Sequence, residues 1–434
     1  MQLRTRDLAT AVGGRLEGPD VTVDGASHDS RAVTPGQLFV PIVAERDGHE
    51  FIGAALANGA VAYLTAGPLA GGTAIVVDDT VVALQAAGRH ARARLPGAVV
   101  VGITGSVGKT SVKDLLAAIL SERMATAASL RSFNNELGVP LTLLSAPDGT
   151  EAVVVEMGAR GLGHIAALCA VATPTIGIVT RVAAVHTEAF GTIEDVARAK
   201  AELVEALSVD GTAVLNSADP AVVAMATRSR AAVVTYGDGG DVWADGVFID
   251  GGLRARFALR SPWGDADVAL AVRGLHQVEN ALAAAAAALA CGVDLGAVQT
   301  GLASAELSPW RMELATAPSG ATILNDAYNA NPTSVAAALD SLAALPASRR
   351  TAVLGLMAEL GPREAAEHAS IGEQARALGI RLLAVSAPAY GGEDAASIED
   401  AIALLGPIDE RDAVLVKGSR VAGLERLAAA LLDR

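Results

Sequence analysis

The stretch Thr104-Gly105-Ser106-Val107-Gly108-Lys109-Thr110-Ser111 carries residue types that suit a polyphosphate. Gly105 and Gly108 let backbone N–H groups approach phosphate oxygens, Lys109 adds a point charge near the transferred phosphate, and the Thr110 hydroxyl can ligate magnesium. This chemistry needs a strand before the loop and a helix after it. Both are legible. Val99–Ile103 is a continuous apolar run rich in β-branched residues, while Val112, Leu115, Leu116, Ile119 and Leu120 recur at helical spacing. The first glycine of the general pattern would fall at Ile103, and the chain instead has Gly102 and Gly105.

Three more residues could serve phosphoryl chemistry. Glu156 ends the buried run Ala152–Val155, at the carboxyl edge where open α/β sheets place their ligands. A carboxylate there is a metal or magnesium-water ligand, or the cap of the next helix; the phosphate loop on an earlier strand favours the metal. His186, with Glu188, follows the strand Thr175–Val179 and is either a metal ligand or a hydrogen-bonded loop histidine. Thr192-Ile193-Glu194-Asp195 opens a helix in the manner of a capping box, and Lys200 shares its apolar face with Val196, Leu203 and Leu207. That lysine either snorkels at the edge of the stripe or is a desolvated amine of lowered pKa. In the second case it can react with carbon dioxide to give a carbamate that helps hold metal.

Other polar clusters punctuate the chain. Asn134 and Asn135 form a turn or meet a ligand. His276-Gln277-Val278-Glu279-Asn280 leads into an alanine-rich helix, Ala281–Ala290, which Asn280 either caps or leaves free to bond an adenine edge. Asn325–Pro332 is a polar switch point before a helix, Thr333–Leu345. Lys417-Gly418-Ser419-Arg420 makes a small anion site or a solvated turn. Arg31, after Asp29 and Ser30, binds a phosphate or nucleotide or is simply solvated.

The 434 residues leave room for two to four domains, and 51% apolar content with 3% aromatics and long alanine stretches indicates helices packed closely on sheets. A net charge of −15 argues against broad nucleic-acid or membrane-surface binding. Anionic ligands then need local clusters of cations, N–H groups and metal. Cys169 and Cys291 sit in apolar segments, as reduced thiols do. The N-terminal residues lack the apolar core of a signal peptide, and Gly161–Thr180 is broken by His164, Pro174 and Gly177, so it reads as a helix followed by a strand. A cytoplasmic protein is expected. Its first unit, 1–97, has strands at Leu38–Ile42, Val61–Leu64 and Ile75–Val77 and closes with a helix, Val81–Leu95. A central unit, 98–312, includes a small antiparallel excursion on the main sheet over Gly237–Asp267. In the third, 313–434, strands at Thr322–Leu324, Thr351–Leu354, Leu382–Val385 and Ala413–Val416 alternate with helices, as in a parallel doubly wound sheet.

TGSVGKTS, VVVEMGA, AAVHTEAFG, ARAKAE, HQVEN and WRME occur here in the order of the Mur ligase family, which the chain resembles over essentially its whole length. NDAYNANPTS, MAELG and VKGSR are similar to the branch that joins D-alanyl-D-alanine to UDP-N-acetylmuramoyl-tripeptide, and SHDSRAVTPGQLFV and DGHEFI to its uridine-nucleotide unit. The DNPR-like motif typical of the branch adding diaminopimelate or lysine is absent from the sequence. The resemblance implies a three-domain α/β protein: a small mixed N-terminal domain, a central P-loop ATPase-like domain with a mostly parallel sheet, and a C-terminal Rossmann-like doubly wound domain. It implies an ATP-dependent ligase working through an acyl phosphate, as a cytoplasmic monomer without nucleic-acid or membrane partners. A ligase with another acceptor or donor, of the folylpolyglutamate type, and a nucleotide-binding scaffold are the alternatives.

Residue by residue, the resemblance assigns ATP to Gly105, Ser106, Gly108, Lys109, Thr110, Ser111, Asn280, Arg311 and Asp326. It assigns magnesium to Thr110, Glu156, His186 and a carbamylated Lys200. Ser30 and Arg31 would bind the uridine nucleotide, Asn134 and Asn135 would line the channel toward the muramoyl peptide, and Tyr328, Asn329 and Asn331 would shape the dipeptide site. Arg181-Val182-Ala183 stands where the family often has an Asn-Val-Gly-like run. Leu356 lies where an acidic residue is often near, and Trp310 before Arg311 is unusual. These departures bear on acceptor preference.

Overall fold

The computed structural model describes residues 1–130, 132–183 and 190–433. Three α/β units follow one another along the chain. The middle one is built on a six-stranded, all-parallel sheet in the order Ala232–Tyr236, Thr212–Asn216, Ile176–Val179, Val99–Thr104, Ala152–Glu156, Thr126–Ala128. Its central strands are buried on both faces, which is why they read as unbroken apolar runs. The loop helix, Lys109–Ser121, buries Val112, Leu115, Leu116, Ile119 and Leu120 in one core with the alanine-rich helix His276–Ala290. Small side chains let the helices approach closely. At Gly301, on the neighbouring helix Leu295–Ser304, an added Cβ would lie 2.5 Å from the Ile119 Cα.

The helix at His276 starts five residues earlier than the spacing of the alanines predicts. Asn280 therefore lies inside it and donates to the Gln277 side-chain oxygen at 2.8 Å; it caps nothing. The antiparallel excursion is a separate three-stranded sheet, Trp243–Ile249, Arg254–Arg260 and Ala266–Arg273, and it continues past Asp267.

The N-terminal unit has a five-stranded mixed sheet and a two-stranded one. The strand expected over Leu38–Ile42 pairs only at Leu38–Phe39, since Pro41 has no N–H to donate. The helix Thr80–Ala93, capped by Asp79, packs on the middle unit's helices Gly138–Ser145 and His164–Ala172. Leu84 and Ala87 share one core with Val139, Leu143 and Val171.

The third unit is doubly wound. Its six-stranded sheet runs in the order Glu313–Thr316, Thr322–Asn325, Asp412–Lys417, Arg349–Gly355, Arg381–Val385, Glu393–Ala395, with only the first strand antiparallel. Among the described residues no helix is long and apolar enough to cross a membrane.

Candidate active site

The phosphate loop joins the strand Val99–Thr104 to the helix Lys109–Ser121 and is shaped by its glycines. A Cβ at Gly105 would fall 1.8 Å from the Thr180 hydroxyl, and one at Gly108, where φ is +84°, would fall 2.6 Å from the Asn280 side-chain oxygen. No other residue type fits at Gly105. The loop is braced from the neighbouring strand end: the Ser106 N–H donates to the Arg181 carbonyl at 2.7 Å, the Thr180 hydroxyl donates to the Val107 carbonyl at 2.6 Å, and the Ala183 N–H donates to the Ser106 hydroxyl at 2.9 Å. Lys109 folds back, its Nζ donating to the Gly105 carbonyl at 2.8 Å. Burial lowers its pKa, partly opposed by the Glu156 carboxylate, while Arg311 lowers it further.

Glu156 ends its strand with 1% of its surface exposed. Its carboxylate accepts from the Thr110 hydroxyl at 2.7 Å and from the Asn134 amide at 2.8 Å. Arg311 donates to the same Thr110 hydroxyl at 2.9 Å, and its guanidinium lies 4.2 Å from the centre of the Tyr328 ring. The Tyr328 hydroxyl meets Ser132 in a short contact. The third unit is thereby tied to the loop of the second.

Two cavities flank this centre. A cleft of about 620 Å³ lies between the units, lined among others by Ser106, Thr110, Ser111, Asn280 and Arg311, with Asp326, Tyr328, Asn329 and Asn331 on its far side. A second cavity of about 450 Å³ holds Gly105, Lys109, Asn134, Asn135 and Lys200. Lys200 is 4% exposed, and burial together with the Lys109 charge lowers its pKa to about 7. It is therefore neutral in a large fraction of molecules near pH 7.

Several predicted residues are already engaged. Asp326 accepts from Lys417 at 2.5 Å and from the Met312 N–H at 3.2 Å, and Lys417 also donates to the Asn329 carbonyl. The lysine of the anion site read at Lys417–Arg420 is thus committed inside the protein. Asn331 caps the helix Pro332–Ala344 in a reciprocal pair with Ser334, and Asn135 accepts from the N–H groups of Leu137 and Gly138. Ser30 and Arg31 line neither cavity. Arg31, 87% exposed at its side chain, pairs with Asp29 and holds that carboxyl down at about 2. His186 lies outside the described residues.

Spacing alone did not single out Arg160 or Glu359, which line both cavities, or the Arg181–Glu279 pair at 2.8 Å in the cleft. Arg160 follows a buried strand by a few residues, as does Glu359, which also lies in the family-like segment MAELG.

Among the described residues no group of three His, Cys, Asp or Glu could hold a metal. The oxygens of Thr110 and Glu156, meeting beside the loop, do fit magnesium, which takes one or two carboxylates and completes its shell with phosphate oxygens and water.

Fold and site together define a nucleotide-dependent enzyme in which a phosphate loop faces a second α/β unit. Residues 103–288 match the Mur ligase middle domain and residues 310–431 the Mur ligase, glutamate ligase domain. A Mycobacterium tuberculosis (strain ATCC 25618 / H37Rv) protein named UDP-N-acetylmuramoyl-tripeptide--D-alanyl-D-alanine ligase is 39% identical, over 100% of this chain and 98% of its own length. MurF from Acinetobacter baumannii superposes with a TM-score of 0.90 at 28% identity, covering 100% of this chain and 99% of that one. MurF ligase from Thermotoga maritima, in complex with ADP, gives 0.82 at 27%, covering 94% and 97%. The chain belongs to the Mur ligase family.

Proposed function

We infer that this protein is an ATP-dependent ligase that joins D-alanyl-D-alanine to UDP-N-acetylmuramoyl-tripeptide in peptidoglycan precursor synthesis. The substrates follow from relatives of that name that match the chain from end to end. The observation that carries the chemistry is the meeting of two cavities at Lys109. One cavity suits ATP and the other the acyl donor.

The terminal carboxylate of the tripeptide attacks the γ-phosphorus of ATP, and ADP leaves. Lys109 and the loop N–H groups stabilise charge on the transferring phosphoryl group. The amine of the dipeptide then attacks the acyl carbon, the C–N bond forms, and phosphate departs with the electrons of the broken C–O bond while the nitrogen loses its proton. Arg311 and Tyr328, linking the third unit to the loop, hold the site closed against water that would hydrolyse the acyl phosphate.

Thr110, Glu156 and His186 are the residues assigned to magnesium, which when bound neutralises phosphate charge. Lys200 fits a carbamate: burial and the Lys109 charge bring its pKa down to about 7, and a carbamate there would turn repulsion from Lys109 into attraction. Asn280 and Asp326 serve ATP, and Asn134 and Asn135 the muramoyl peptide. Ser30 and Arg31 serve the uridine nucleotide, and Tyr328, Asn329 and Asn331 the dipeptide. The protein acts as a cytoplasmic monomer.

The test is magnesium-dependent phosphate release with UDP-N-acetylmuramoyl-tripeptide, with and without D-alanyl-D-alanine, following the nucleotide product by mass. A product heavier by the dipeptide less water is expected. Equal release with single amino acids, or none with the dipeptide, would reject the acceptor.

A further inference from the structure

Three consecutive side chains, Ser132, Phe133 and Asn134, reach three different units. The Ser132 hydroxyl meets the Tyr328 hydroxyl of the third unit. The Phe133 ring meets the His28 ring of the N-terminal unit edge to face, with centroids 5.6 Å apart and planes at 65°. The Asn134 amide donates to the Glu156 carboxylate of the middle unit at 2.8 Å.

Two of these contacts belong to a closed circuit. From Ser132 it passes to Tyr328, whose ring lies against the Arg311 guanidinium, and from Arg311 to the Thr110 hydroxyl at 2.9 Å. From Thr110 it continues to Glu156 at 2.7 Å and on to Asn134, which the backbone of Phe133 joins again to Ser132. The circuit therefore runs through the phosphate loop and through the side chains that tie the third unit to it. Phe133 points out of it toward the N-terminal unit.

The segment has little room to shift. A Cβ at Gly138 would lie 2.5 Å from the Phe133 carbonyl carbon, one at Gly158 would lie 2.9 Å from the Asn134 side-chain oxygen, and the Gly158 N–H donates to the Asn134 carbonyl at 2.7 Å. Displacement of the Phe133 ring is passed to both of its neighbours, as in any close-packed interior. On the other side of that ring His28 is half-buried, in the loop that continues through Asp29 to Ser30 and Arg31. That loop is itself held: Asp29 pairs with Arg31, and the Asn58 amide donates to the Ser30 carbonyl at 2.8 Å.

We propose that Phe133 is a positioning residue: through its ring the His28 loop sets the Ser132–Asn134 segment, so that a uridine nucleotide bound at that loop strengthens the hold of the phosphate loop and the third unit on ATP. The proposal rests on the ligase reading, which puts the nucleotide of the donor at Ser30 and Arg31. Such coupling is a free energy shared by two sites, and it is reciprocal.

The test measures, by calorimetry, the dissociation constant of the ATP analogue AMP-PNP with magnesium, in the absence and in the presence of saturating UDP-N-acetylmuramoyl-tripeptide. In wild type the donor is expected to tighten the analogue about fivefold or more. In Phe133→Ala the two constants should agree within about twofold, while the constant without donor stays within about twofold of wild type. His28→Ala should lose the coupling from the opposite side, and the double variant should lose no more than either single one. His28→Phe, which keeps a ring against Phe133, should retain most of it. No coupling in wild type with the donor bound, coupling intact in Phe133→Ala, weakening of the analogue by itself in that variant, or summed losses in the double variant would overturn the proposal. Failure of the ligase reading is separate and shows in wild type alone, as binding of the analogue without any binding of the UDP-linked tripeptide.

Discussion

A carboxylate as buried as that of Glu156 stays in place because both of its oxygens are occupied, one by Thr110 and the other by Asn134. Glu156→Gln keeps the volume but sets an amide against the Asn134 donor and removes the charge offered to magnesium. Turnover is expected to fall by about 10²- to 10³-fold, with the melting temperature little changed; steady-state kinetics and calorimetry check this. Lys200 gives a prediction with a sign. Its ordinary pKa of 10.5 is held at about 7 in the folded chain, so between these values the unfolded chain binds the proton that the folded chain refuses. Stability therefore falls as pH drops from about 10.5 to about 7 and levels off below. In buffer free of carbon dioxide, Lys200→Met should remove this dependence, gaining a few kcal/mol at pH 7 relative to pH 10.5, at roughly 1.4 kcal/mol per unit. Added bicarbonate should stabilise wild type and leave the variant unmoved. Denaturant titrations at several pH values decide it, and a wild-type response no larger than that of Lys200→Met would sink the carbamate assignment.

Elements were legible where burial wrote a period into the sequence. The parallel strands around the phosphate loop are apolar runs, and the helix at Thr192 is capped as its residues indicate. Reading was weaker where a polar segment is buried for packing. His276–Asn280 looks like a loop, yet it is the first turn of a helix, with Gln277 only 1% exposed. Lys417 looks free and is spent on Asp326, ninety-one positions away. Arg160 gains its place in both cavities only when two units meet, and no local pattern encodes that. The helices yield a packing prediction. Gly301 lies against the Ile119 backbone, so Gly301→Val should force Leu295–Ser304 off the loop helix, costing about 1–3 kcal/mol and weakening ATP binding with it. Urea unfolding and nucleotide titration measure the two effects. Burial also raises both thiols, Cys169 and Cys291, to about 12. Neither should react with iodoacetamide at pH 8 until the chain unfolds, and mass spectrometry of labelled native protein reads this directly.

At the scale of the molecule, the three units are not equally independent. The N-terminal unit lays Thr80–Ala93 onto the middle one so tightly that a Cβ at Gly88 would meet the Pro140 side chain at 2.5 Å, and their apolar residues form one core. The third unit has one core of its own and a second that takes in Leu253 and Met312 of the middle unit, and it faces the middle one across the polar groups of the cleft. Stability should divide accordingly. A single apolar interior unfolds as one cooperative body, whereas a wet and polar interface couples its sides weakly. Leu84→Ala, which removes a fully buried side chain from the shared core, should cost about 2–5 kcal/mol and lower the melting of the first two units together, leaving the third unit's transition in place. Scanning calorimetry with tryptophan fluorescence follows both, since Trp243 and Trp263 lie inside the middle unit and Trp310, at its end, stacks on Arg420 of the third. Melting of the N-terminal unit alone, with the middle transition unmoved, would show that the shared core does not couple them. ATP with magnesium should then draw the two transitions together, because Arg311 and Tyr328 bind the third unit to the loop that the nucleotide occupies.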